Sequence, residues 1–183
     1  MDSPVDKLTD IALVAQVVTL HNKRAFDTLV KKYQSGVRRF LLHQTLGDSQ
    51  LSDDLAQDTF VKAYTHLSSF KGVSAFSTWL YRIAYNVFYD YRRTHHLSVD
   101  IDTVEMRQRA SAHPDKALQL DLYKALAQLK EVERLCITLQ LVEGQPVEQI
   151  AKITGLNLGT VKSHLSRGKT KLATYLKANG YDR

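Results

Sequence analysis

Between Ala25 and Leu41 the apolar residues fall at steps of mostly three and four: Ala25, Phe26, Leu29, Val30, Tyr33, Val37, Phe40 and Leu41. That spacing lines them along one face of a helix and does not fit the two-residue alternation of a strand. The same period returns in Leu55, Ala56, Phe60, Ala63, Tyr64 and Leu67, and again in Trp79, Leu80, Ile83, Ala84 and Val87. Only three prolines and eight glycines interrupt 183 residues, too few for the many tight turns of a strand-rich sandwich. An all-α fold is expected.

The helical signal breaks in three places. Gly47-Asp48 reads as a stop, with Ser52 as the N-cap of the following helix. Ser68 to Gly72 reads as a short loop, after which a helix is expected from about Ser74 to Thr94, burying Trp79 and its neighbours. From Thr94 to about His113 the periodicity fades altogether. This predicts two small helical domains, 1–96 and 115–183, joined by a flexible linker over 97–114. At about 3.3 Å per residue such a linker spans on the order of 60 Å when extended, and it permits both compact and open arrangements. Helices are expected from about Asp115 to Leu129 and from about Lys130 to Val142.

Composition narrows the function classes. With 44% hydrophobic and 24% charged residues the chain is globular in character. A single cysteine, Cys136, rules out an internal disulfide, and its place in Leu135-Cys136-Ile137 suits a buried small hydrophobe better than a nucleophile. No apolar run approaches the roughly 18 residues of a membrane span, and the acidic start MDSPVDKLTD lacks the features of a signal peptide. A cytoplasmic protein without membrane insertion is expected. His95-His96 lack the helical spacing that converges on a metal, and neither a serine elbow nor a Gly-rich phosphate loop is present. No enzyme activity, small-molecule substrate, cofactor or metal is expected.

The net charge of +6 is not spread evenly. Lys152 to Arg183 holds seven Lys or Arg against Asp182 alone, and Lys71 to His96 holds Lys71, Arg82, Arg92 and Arg93 against Asp90. Within the first of these lies a helix-turn-helix pattern. Gly144 ends one helix and Pro146 suits the start of the next. Val147, Ile150, Ala151 and Ile153 supply an inner face, and the small Ala151 lets a second helix cross closely. Gly155 permits a turn at positive φ, Asn157 caps the second helix, and Val161 and Leu165 fix it against the first. Thr160, Lys162, Ser163, His164 and Arg167 then face outward, with Lys169 and Lys171 continuing the positive face. This is the layout of a duplex-DNA reader.

The second basic region, FKGVSAFSTWLYRIAYNVFYDYRR, carries eight of the sixteen aromatic residues. Arg82, Asn86, Tyr89 and Arg93 form one polar stripe with Tyr85 beside it. Two readings stand: a tyrosine-rich packed helix with a solvated charged edge, or a surface on which unpaired bases stack. Stacking contributes roughly 1–3 kcal/mol per base against about 1.4 kcal/mol per opened base-pair step, so two or three captured bases offset local melting. Asp54 and Asp58 lie four apart, with Asp53 and Gln57 adjacent, near the start of the preceding helix. Stabilisation of the helix terminus and a contact with another protein are both open there.

LSDDLAQDTFVKAY followed by FSTWLYRIAYNVFYDYRR resembles the second region of extracytoplasmic-function (ECF) sigma factors, group IV of the bacterial sigma superfamily. GQPVEQIAKITGLNLGTVKSHLSRGKTKL resembles their fourth region. The two stretches occur in the family's order and cover roughly residues 22–96 and 115–178. The resemblance implies a factor that binds core RNA polymerase and directs it to promoters, commonly held inactive by an anti-sigma protein. It places polymerase docking on Asp53, Asp54, Gln57 and Asp58. Recognition and opening of the minus-ten element fall to Phe70, Lys71, Phe76, Asn86, Tyr89, Arg92 and Arg93. Reading of the minus-thirty-five duplex falls to Thr160, Lys162, Ser163, His164, Arg167 and Lys171. Leu51 stands where the family often has an acid, and His164 replaces a commoner Arg. Leu158 sits where an acid is usual and is expected to pack on its own domain. The competing reading is a helix-turn-helix regulator with an N-terminal dimerisation domain.

Overall fold

The computed structural model describes residues 4–95 and 114–181, in which eight α-helices and no strand occur. Apart from its last residue, the linker expected over 97–114 lies outside the described residues, as does His96. The N-terminal half comprises α1 (Pro4–Leu20), α2 (Lys23–Gln44), α3 (Ser49–Thr65), a single 3-10 turn (Leu67–Ser69) and α4 (Phe76–His95). The C-terminal half comprises α5 (Pro114–Ala127), α6 (Glu131–Ile137) running into a π-helical turn (Thr138–Val142), α7 (Val147–Thr154) and α8 (Leu158–Ala178).

Local chemistry sets the helix ends. The Asn22 side chain accepts from the amides of Arg24 and Ala25 at 3.1 and 3.4 Å, starting α2. Asp48, not Ser52, caps α3: its carboxylate accepts from the Leu51 amide at 3.0 Å. Ser52 is instead buried, its hydroxyl 2.7 Å from that of Thr45. An acid at the cap satisfies the orphan amides and complements the helix dipole, so it outcompetes the serine one turn later.

The apolar face of α2 (Leu29, Val37, Phe40, Leu41) packs on Leu55 and Ala63 of α3 and on Phe76, Leu80, Ala84 and Val87 of α4. Trp79 and Ile83, expected in this core, are only partly buried; Tyr81 and Phe88 take the buried positions. Helix α1 lies over α2 through Val14 and Val17. Its buried Asp10 accepts from Lys32 Nζ at 2.8 Å and from the Tyr33 hydroxyl at 2.5 Å, which compensates the carboxylate for lost hydration.

In the C-terminal half, Ile150, Ile153, Val161 and Leu165 form the inner face of the helix-turn-helix, together with Leu135, Ile137 and Leu139. Cys136 is fully buried, and burial pushes its thiol up to about 11, as befits an inert packing residue. The halves are packed together. Helix α4 lies along α7, and α2 touches α6 and the π-helical turn.

Candidate nucleic-acid interface

The helix-turn-helix is built by two local devices. Gly155 sits at φ +75°, a conformation that disfavours any residue with a Cβ, and turns the chain after α7. Asn157 then caps α8, its side-chain oxygen accepting from the Thr160 amide at 2.8 Å. Lys162, Ser163 and Arg167 are exposed along α8, with Thr160 and His164 partly so. The helix holds five Lys or Arg and no acid. Leu158, expected to pack on its own domain, is 45% exposed at the helix start.

The cations of α8 are not all free. Lys171 Nζ donates to Glu133 Oε2 at 2.7 Å, and Arg167 Nε lies 3.9 Å from Glu133 Oε1. Arg167 also approaches His164 Nδ1 at 3.3 Å. Glu133 is buried on α6 and was absent from the sequence-based candidates. The only hint in the sequence is an acid three residues past Lys130, whose amide it accepts at 3.1 Å.

On α4 the stripe of Arg82, Asn86, Tyr89 and Arg93 is exposed as its spacing required, and Tyr85 and Tyr89 stand with ring centroids 6.0 Å apart. Between α3 and α4 opens a cleft of about 440 Å³ lined by Lys62, His66, Trp79, Arg82, Ile83 and Asn86. Its floor is aromatic, and its rim carries an amide, two cations and Asp90, whose carboxylate lies 3.9 Å from Lys62 Nζ. A ring face beside cations and an amide suits unpaired bases and their phosphates, which makes Trp79, Lys62 and Arg82 candidates alongside the stripe.

The loop before α4 is organised by rings. Phe70 packs edge-on against Phe76 with centroids 5.5 Å apart and lies 5.7 Å from Trp79. Phe76 itself is buried, so it supports the loop from beneath and presents no face to a base. Lys71 and Val73 are exposed on the loop, and Gly72, at φ +68°, faces Ile11 of α1. Arg93 lies 3.5 Å from Asp90. Arg92 does not face outward with it; it pairs with Glu131 of α6 at 3.3 Å.

Asp53, Asp54, Gln57 and Asp58 are all exposed on α3. Asp53 is held in two bonds by the Arg38 guanidinium, at 2.5 and 3.2 Å, and that hydrogen bond pulls its carboxyl below the usual range. Asp54 and Asp58 have no ion pair or hydrogen bond among the described residues. Gln57 lines, with Asp53, Phe60 and Arg38, a shallow cleft of about 430 Å³ between α2 and α3.

An exposed acidic ridge, an aromatic-basic cleft and a basic helix-turn-helix thus occur in one chain, in that order. Residues 29–97 match the model of sigma-70 region 2, and residues 119–172 match that of sigma-70 region 4. The ECF RNA polymerase sigma-E factor of Haemophilus influenzae is 33% identical, covering 90% of this chain and 93% of that protein. The chain belongs to the ECF sigma factors.

The RNA polymerase sigma-H factor of Pseudomonas aeruginosa is 35% identical over 163 residues, covering 81% of this sigma factor and 84% of that protein. Among solved structures, CnrH in complex with the cytosolic domain of CnrY superimposes with a TM-score of 0.73 at 27% identity, over 94% of this chain and 99% of that one. RpoE of Bartonella quintana, in complex with the anti-sigma factor NepR, gives 0.69 at 29%, over 86% and 98%. Both superpositions extend across the two halves. Among the described residues no helix is long and apolar enough to cross a membrane.

Proposed function

We propose that this sigma factor joins core RNA polymerase through the α3 ridge and divides promoter recognition between its halves. The N-terminal half, residues 1–96, captures melted minus-ten bases, and the C-terminal half, residues 115–183, reads the minus-thirty-five duplex. In the first, Trp79 and the Phe70 loop offer ring faces, while Lys71, Arg82, Asn86, Tyr89 and Arg93 supply polar contacts. In the second, Thr160, Lys162, Ser163, His164 and Arg167 reach the groove, and Lys171 reaches backbone phosphate once released from Glu133. Asp54 and Asp58 carry the docking, with Gln57 beside them and Asp53 bracing the ridge against Arg38.

Catalysis belongs to the polymerase; the factor itself is not an enzyme, needs no cofactor, and works in the cytoplasm where polymerase and DNA are. An anti-sigma protein is its expected inhibitor, since the Bartonella RpoE is solved with the anti-sigma factor NepR. The observation that carries this reading is the acidic ridge and the acid-free recognition helix within one chain. A simple DNA-binding regulator leaves the ridge without a task.

The test is binding of purified protein to bacterial core polymerase, compared with Asp54→Arg/Asp58→Arg. Tight binding that is lost in a folded double variant is the expected result. Absence of binding by inhibitor-free wild type to any competent core enzyme overturns the reading.

A further inference from the structure

Arg167 is the one arginine of the recognition helix, and its side chain is 59% exposed, yet one side of its guanidinium is engaged. Nε lies 3.9 Å from Glu133 Oε1, and Nη2 lies 3.3 Å from His164 Nδ1, one helical turn earlier. Nε and Nη2 form the side edge of the planar fork. The end edge, Nη1 with the second N–H of Nη2, makes no hydrogen bond or ion pair among the described residues. It is left to a ligand.

Both groups that hold the side edge are themselves fixed. Glu133 is buried on α6, and its Oε2 takes the Lys130 amide at 3.1 Å and Lys171 Nζ at 2.7 Å, while Oε1 faces Arg167. His164 is fixed by its chemistry. A guanidinium only donates, so Nδ1 accepts, and the neutral ring then carries its proton on Nε2. An arginine at position 164 would have no acceptor for Arg167 and would repel it. An unheld arginine on an acid-free helix samples many rotamers and settles on any nearby phosphate. Ordering such a side chain at the moment of binding costs free energy, and a side chain held beforehand avoids that cost.

We propose that buried Glu133, together with His164, is a positioning residue that presents the end edge of Arg167 to one guanine of the minus-thirty-five duplex. Guanine O6 and N7 match a two-pronged donor, the commonest base-specific contact an arginine makes. The proposal rests on the sigma-factor reading and adds a determinant of base selectivity that touches no DNA. Glu133 acts from beneath the helix, through Arg167. Lys171 shares the carboxylate but has no planar fork, so it contributes charge and not base preference.

The experiment uses the full chain assembled with core polymerase, on the mapped promoter with all four base pairs placed in turn at each minus-thirty-five position. Wild type is expected to prefer guanine at one position by about tenfold, within the range of a bidentate contact. Glu133→Gln, which keeps an oxygen for the Lys130 amide, is expected to lower that preference by about threefold or more and to leave the other positions unchanged. His164→Arg should lower it as well, while its added charge holds or raises affinity for all sequences. Lys171→Met should weaken all four duplexes alike. Helical circular dichroism checks the folding of each variant. Equal weakening of all four duplexes by Glu133→Gln, the mark of a merely structural acid, overturns the proposal, as does an unchanged preference. Nitrogen NMR of the free full chain at about pH 8.5, well above the ordinary imidazole value, reads the contact itself. His164 is expected protonated at Nε2 alone in wild type and as a mixture of tautomers in Arg167→Ala. A wild-type ring protonated at Nδ1, or one unchanged by Arg167→Ala, also overturns the proposal. Failure of wild type to bind core overturns the sigma-factor reading instead, and the NMR then still decides the Arg167 contact.

Discussion

Glu133 and Lys171 meet at 2.7 Å where α6 crosses the recognition helix, and the carboxylate is buried at the contact. The crossing is close because residue 168 is a glycine: a Cβ there would lie 2.7 Å from Ile137 Cγ1. One acid thus serves two purposes. It accepts the Lys130 amide at the start of α6 and anchors the basic face of α8, where Arg167 also approaches it.

Glu133→Gln is expected to destabilise the fold by about 1.5–3 kcal/mol, the range for a hydrogen bond to a charged group. Burial pushes the Glu133 carboxyl up, but the Lys171 bond, the Lys130 amide and Arg167 outweigh it, so the net shift is below the ordinary 4.5. A depressed folded value means this stability is present above about pH 4.5 and is lost as pH falls through the folded value. Thermal melts across pH 3–7 should show the acid-side loss attributable to this group in wild type and not in the variant. Equal slopes in both would count against the assignment.

Gly168→Ala separates helix propensity from packing. Propensity favours alanine by about 1 kcal/mol. Overpacking against buried Ile137 costs about 1–3 kcal/mol, because the clash falls mid-chain on a side chain with no room to retreat. A net loss of stability is expected, relieved in the double variant with Ile137→Ala. A gain in melting temperature from Gly168→Ala alone would show that the crossing is looser than the structure has it.

His43, on the N-terminal side of the contact between the halves, gives the fold a dependence on acidity. It is buried near the end of α2, its ring centroid 6.1 Å from that of Tyr123, and burial lowers its pKa from 6.5; Glu143 opposes that shift and Arg39 reinforces it. The unfolded chain therefore takes up a proton at this residue more readily than the folded one. Stability from this group is full above about pH 6.5 and falls away as pH drops below that value. Melting temperatures measured from pH 7.5 to 5 should fall more steeply for wild type than for His43→Leu.

What the sequence disclosed and what it withheld divide by range. The turn at Gly155, the cap at Asn157 and the stripe from Arg82 to Arg93 are fixed by neighbours within a few residues, and each stands where its spacing placed it. Helix α1 was missed. Its apolar residues lie on several sides, Val5, Leu8 and Leu20 exposed and Val14 and Val17 inward, so no clean period emerges. Its buried Asp10 makes sense only beside Lys32 and Tyr33. The Arg39–Glu143 pair spans 104 positions, and the occupation of Arg92 by Glu131 crosses the linker. Such pairings depend on how the two halves meet, which local spacing does not encode.

Trp79 offers the most direct reading of the minus-ten surface, because it is the chain's single tryptophan and lines the cleft between α3 and α4. A base stacked on that ring must change its fluorescence. Titration with a 12-nucleotide single-stranded oligonucleotide carrying the mapped minus-ten sequence is expected to quench the emission to saturation. Loss of a stacked base costs roughly 1–3 kcal/mol, so Trp79→Ala, followed by anisotropy of a labelled oligonucleotide, should weaken binding about five-fold or more. Arg82→Ala should weaken it less and flatten the dependence on salt, since one phosphate contact on a single strand contributes a log–log slope of about 0.7. If emission stays constant while anisotropy reports full binding, the bases lie elsewhere, and exposed Tyr89 with half-buried Tyr85 beside it becomes the platform to test.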